Sequence, residues 1–154
     1  MGPLSEKNYQ RLIIILLAFF NIAIHLLVIN NLEYHRDELL YFSLGQHPDF
    51  GFATVPPVIG WVAWIMQNTL GYSLFAVRLF PAILSGILVI LSSAIAGELG
   101  GSFYSRILAG IGIIISAFVM RTFSLFMPVF IDVIFWTLIF YLVIRYIILI
   151  LANT

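Results

Sequence analysis

Four long apolar stretches run along the chain, and between the first two lies a long segment with a different pattern. Leu12 to Asn30, Leu74 to Ala96, Phe103 to Met120 and Val129 to Leu151 are nearly unbroken runs of Ile, Leu, Val, Phe and Ala. A helix rising 1.5 Å per residue crosses a hydrocarbon core of about 30 Å in about 20 residues. Lipid offers the backbone no hydrogen-bond partners, so such runs are predicted to be helices despite their Val and Ile content. The pattern predicts an all-α integral membrane fold with about four transmembrane helices, at 12-30, 74-96, 103-120 and 129-151. Residues 1-11 and 152-154 are read as tails. The first run is too long, and too polar at its end, for a signal peptide, and no small-residue cleavage site follows it.

The connections differ from one another. Gly97-Glu98-Leu99-Gly100-Gly101-Ser102 reads as a tight turn, because glycine adopts the positive φ that ends helices, and it predicts an antiparallel hairpin. Arg121 to Pro128 is also short. Asn31 to Tyr72 is long and holds most of the acidic side chains. Within it, Pro56-Pro57 precedes Val58 to Met66, an apolar run too short to span. Its tryptophans suit the headgroup level, so an interfacial helix is expected there. A second short helix is expected from Asp37 to Leu44, ended by Gly45.

Composition narrows the class. The chain of 154 residues is 62% hydrophobic and 9% charged, whereas soluble domains carry about 25% charged residues. A soluble domain is excluded on that ground. Seven basic residues balance seven acidic ones, so no broad positive field exists to hold nucleic acid. With no cysteine, disulfides, thiolate metal sites and cysteine nucleophiles are excluded. Lys7, Arg11, Arg106 and Arg145 fall on one side of the expected topology, and Arg36, Arg78 and Arg121 on the other. The excess places the N-terminus in the cytoplasm and the long loop outside it, in a plasma or inner membrane.

Ionisable residues near lipid are costly, so they are where function is sought. The densest group is Tyr34-His35-Arg36-Asp37-Glu38-Leu39-Leu40-Tyr41. Three readings of it stand. Asp37 and Glu38 are acids of a first helical turn, favoured by the helix dipole. Alternatively, His35, Asp37 and Glu38 supply ligands to a metal. Or one carboxylate is a general base at the water–lipid boundary. Asp132 is a second signal, an acid one turn into an apolar run, with Arg121 or Arg78 as candidate partners. His25, alone in the first helix, is read as a hydrogen bond between helices. A relay joining Asp132 directly to Arg145 is excluded, because the two are about 20 Å apart along one helix.

Taken in order, these motifs resemble a known family. Tyr34-His35-Arg36-Asp37-Glu38-Leu39-Leu40-Tyr41-Phe42 is followed by Gly45-Gln46-His47-Pro48-Asp49-Phe50-Gly51-Phe52 and by Pro56-Pro57. Then come Ser73-Leu74-Phe75-Ala76-Val77-Arg78-Leu79-Phe80-Pro81-Ala82 and Ala96-Gly97-Glu98-Leu99-Gly100-Gly101. The arrangement resembles the N-terminal part of polytopic GT-C glycosyltransferases of the family 39, aminoarabinose-transferase and protein O-mannosyltransferase type. The resemblance implies transfer of a sugar, with inversion, from a polyprenyl-phosphate carrier to an acceptor hydroxyl outside the cytoplasm. It implies that Asp37 is the base, and that Glu38 supports it or helps hold a divalent cation. Asp132 matches a second site acid. Arg36, Arg78 and Arg121 are the candidates for the donor phosphate, whose developing charge needs a counter-charge.

Two departures accompany the likeness. Thr54-Val55 stands before Pro56, where relatives often have a polar or basic residue. Relatives also have many more membrane helices, so the chain is expected to be a fragment, or to need further helices or a partner chain. The contrasting reading is a non-catalytic four-helix membrane subunit or lipid-binding module derived from such an enzyme.

Overall fold

The computed structural model describes residues 6–31 and 33–152, and among them every regular element is helical. Helix α1 spans Glu6–Val28, α2 Arg36–Ser43, α3 Val58–Leu70, α4 Leu74–Glu98, α5 Phe103–Ile115, α6 Ala117–Phe123 and α7 Pro128–Ala152. Three of them (α1, α4 and α7) are long and apolar enough to cross a membrane, and α5 with α6 makes a fourth if the bent pair counts as one span.

The ends follow from local chemistry. Helix α1 begins earlier than the apolar run, because Glu6, Lys7, Gln10 and Arg11 are good helix formers and Gln10 bonds back to Glu6 across one turn. Residues 6–11 are therefore helix, and the rest of the expected N-terminal tail lies outside the described residues. Ser73 caps α4, its Oγ accepting the Ala76 N–H at 3.1 Å. Helix α7 starts with Pro128 in its first turn, where the missing N–H is harmless. The short loop helix runs from Arg36 to Ser43 and passes into a 3-10 turn over Leu44–Gln46. Gly45 thus lies inside that turn and does not end the helix. Helix α3 extends beyond the expected Met66 to Leu70 and stops at Gly71, whose φ is +77°.

One expected span is corrected. The run 103-120 is not a single helix. It breaks at Ser116, and α5 and α6 meet at a bend of 62°. Ser116 ends α5 and starts α6, its Oγ accepting the Val119 N–H at 3.4 Å. A hydroxyl that can cap, after three consecutive β-branched isoleucines, favours a new helix start over continuation. The connection to α7 consequently shrinks to Ser124 to Met127.

Helix α4 is the axis of the fold, packed against α1, α5, α7, α3 and α6. Between membrane helices, close approach rather than expulsion of water drives packing, so small residues sit at the crossings. A Cβ at Gly86 would lie 3.1 Å from the Ala18 carbonyl of α1, and one at Gly110 of α5 would lie 3.1 Å from Ser93 Oγ of α4. The α4–α5 hairpin closes as expected: Gly100 has φ +81°, and Gly101 N–H bonds the Ala96 carbonyl at 2.9 Å. The fully buried residues of helix α7, Phe130, Ile131 and Ile134, all lie near its start. None of its most apolar stretch is buried within the chain.

Helices α2 and α3 form a small layer on one end of this bundle. Gly45 brings them together, since a Cβ there would meet the Trp64 backbone nitrogen at 2.6 Å and the Ala63 carbonyl carbon at 2.7 Å. Backbone cannot yield as a side chain can. Gly45→Ala is expected to lower stability by about 1–3 kcal/mol, read as an earlier unfolding midpoint in detergent. An unchanged midpoint would show that α2 and α3 are not in this contact.

Candidate functional site

The site is built around a buried ion pair. Glu38 and Arg78 are both withdrawn from solvent, at 0% and 1% exposure. Arg78 grips the carboxylate through two parallel bonds, Nε to Oε1 at 2.9 Å and Nη2 to Oε2 at 2.7 Å. Two further N–H groups reach the carbonyls of Ile29 at 2.9 Å and Glu33 at 2.8 Å. Glu38 also accepts the backbone N–H of His35 at 2.9 Å and of Phe126 at 2.8 Å. A carboxylate offers about four acceptor positions, and these four donors fill them. Burial works against the Glu38 charge, but the Arg78 hydrogen bonds, the two N–H groups and the Arg78 charge outweigh it. They hold its carboxyl below the ordinary carboxylate range.

Helix α2 begins with a reciprocal cap. His35 Nδ1 accepts the Asp37 N–H at 3.3 Å while the Glu38 side chain accepts the His35 N–H. Because Nδ1 is an acceptor here, the 3.7 Å approach of Asp37 Oδ2 to it is not a charge pair. An eight-residue helix is too short to be stable alone, so the cap and the ion pair hold it in place.

The predicted residues therefore separate. Asp37, beside Glu38 in sequence, keeps a carboxylate 37% exposed, 3.5 Å from the outward-lying guanidinium of Arg36. Glu38 is not a free acid beside it but an anchor. Arg78 is not open to a donor phosphate, because its guanidinium is buried and engaged. Arg121 is exposed on α6 and Asp132 is exposed on α7. Among the described residues no ion pair joins Asp132 to Arg121 or to Arg78. Of the three residues named for a divalent cation, Glu38 has its four acceptor positions occupied and His35 Nδ1 is used in the cap, while the Asp37 carboxylate is accessible. No group of three metal-ligating side chains converges among the described residues.

His25 does bond across elements, Nδ1 lying 3.1 Å from Ser124 Oγ in the α6–α7 link. Asn21, one turn earlier and fully buried, was not singled out by the sequence pattern; an asparagine in an apolar run at helical spacing from a histidine is the signal that marks it. A groove of about 350 Å³ opens beside α2, with Tyr34, Ser43, Gln67 and Tyr72 among its walls. Gln67 of α3 donates to the Phe42 carbonyl of α2 and so forms part of the groove floor. At the opposite end of the bundle, Arg11 and Arg106 line one cavity of about 190 Å³. Their proximity agrees with the side shared by these two cations in the expected topology.

No family model, curated protein or solved structure matches the chain.

Two outcomes follow from the ion pair. Glu38→Gln leaves the Arg78 charge buried without its partner, and is expected to cost about 3–5 kcal/mol, measured by denaturant or thermal unfolding in detergent. Acid should act in the same way. A carboxyl held below its unfolded value contributes stability that is complete above about pH 4.3 and is lost as pH falls through the lowered native value. The unfolding midpoint of the parent should therefore drop steeply below about pH 4, and the Glu38→Gln chain should lose much of that dependence. Parallel pH profiles would deny Glu38 this role.

Proposed function

We propose that this chain is the acid-loop part of a membrane glycosyltransferase that moves a sugar from a polyprenyl-phosphate donor to an acceptor hydroxyl with inversion. The observation that carries the reading is the division of labour between adjacent acids. Glu38 is immobilised by Arg78, which fixes α2, and Asp37 is thereby presented on a held helix with its carboxylate accessible. The motif order set out above, from Tyr34 to Gly101, supports the same reading.

In this chemistry Asp37 takes the proton from the acceptor hydroxyl as its oxygen attacks the anomeric carbon. The bond from that carbon to the carrier phosphate breaks on the opposite face, and the phosphate leaves with the electron pair. Its charge calls for a cation. Arg36 and Arg121 are the exposed candidates, and Arg78 serves instead to position α2 through Glu38. Further helices, from the same polypeptide or a partner, complete the donor cavity in this reading. The largely uncovered face of α7 leaves room for them.

The test is transfer of labelled sugar from polyprenyl-phosphate donors in membranes carrying the complete assembly. Asp37→Asn should lower transfer by about 10²–10⁴-fold, the range of a lost general base. Its stability should stay within about 0.5–1 kcal/mol of the parent, since an exposed first-turn acid contributes no more than that. Parental transfer by Asp37→Asn would remove Asp37 as the base. Absence of transfer from every donor, with normal folding, would favour the non-catalytic subunit.

A further inference from the structure

A second site lies away from Asp37, between α3, α4 and α7. Two cavities of about 120 and 110 Å³ adjoin across Val58, Ile131 and Phe135, and are taken together as one cleft. Its inner part is walled by Val62, Phe80, Leu84 and Ile134, with no polar surface. Its outer part is bounded by Pro56, Pro128 and Asp132. Asp132 is the ionisable group at the mouth. It stands one turn into α7, is exposed, and has no ion-pair partner among the described residues.

In a bilayer, which this inference takes as the surroundings of α4 and α7, a carboxylate at that depth is costly unless something pairs with it. An apolar slot ending at a single negative charge fits an amphiphile with a hydrocarbon chain and a cationic head. The charge excludes a head that is only phosphate, because like charges repel. A primary ammonium answers best, since it is compact and carries three donors, whereas a methylated ammonium carries none.

We infer that the cleft between α3, α4 and α7 binds an aminophospholipid, its ammonium on Asp132 and one acyl chain along Val62, Phe80 and Leu84. This site is separate from Asp37, so a failure of either assignment leaves the other standing.

The experiment is native mass spectrometry of the chain released from bilayers of equal phosphatidylethanolamine and phosphatidylcholine with identical acyl chains. The parent should retain the ethanolamine lipid about three- to fivefold over the choline lipid, the upper part of what an exposed ion pair contributes. Asp132→Asn should bring that ratio to about one, and its exposed position leaves the packing intact. Val62→Trp or Leu84→Trp, each filling the slot, should reduce retention of both lipids while helicity by circular dichroism is kept. Equal retention by the parent, or a preference that survives Asp132→Asn, would overturn the proposal. Carbonate extraction of the same membranes scores the bilayer reading separately. Release of the chain into the supernatant would overturn the proposal through that premise, while equal retention by a carbonate-resistant chain would overturn the lipid site alone.

Discussion

A single buried guanidinium–carboxylate pair sets the constraint under which the polar end of this protein is organised. Neither charge is tolerable alone at that depth. Arg78 sits just inside the N-terminus of α4, where a cation is disfavoured by the helix dipole, and Glu38 sits just inside the N-terminus of α2, where an anion is favoured. Each corrects the other's surroundings. The bonds they collect come from the end of α1, the start of α2, the start of α4 and the link into α7. The pair is therefore a joint between four parts of the chain more than an isolated interaction. Such pairs often add little net stability compared with apolar packing, but removing one partner is severe.

This joint gives two neighbouring acids different roles. Glu38 faces inward and is saturated with donors, while Asp37 faces outward beside Arg36 and stays accessible. Successive residues on a helix differ in direction by about a quarter turn or more, so a buried anchor and an exposed carboxylate can be neighbours in sequence. A helix of this length, held by its cap and by Arg78, offers a rigid platform for a group that must meet a substrate at a defined angle.

Much of the architecture was legible because lipid imposes length and helicity so strictly. The spans at α4 and α7, the glycine turn between α4 and α5, and the helix after Pro56-Pro57 were carried by apolar run length, by glycine and by proline. Other features were hidden. The break at Ser116 sits in an unbroken apolar run, where one hydroxyl among isoleucines is a faint sign. The cap on α2 was missed because histidine is an uncommon N-cap, although the spacing from His35 to Glu38 is that of a capping box. Most of all, the role of Glu38 as an anchor was hidden because its partner lies 40 residues away. Separation of that kind leaves no local pattern; only the fold brings Arg78 to it. Asn21 and His25 became informative for the same reason, once burial was known.

The bend between α5 and α6 carries a consequence for how the protein comes to be built. It turns the chain so that the Phe126 amide reaches Glu38, 88 residues upstream. A ribosome delivers residues in order, so α2 and α4 emerge well before that amide exists. The fourth acceptor position of Glu38 can be filled from Phe126 only once the link into α7 has been made. The joint is thus completed by the last of its four parts to be synthesised.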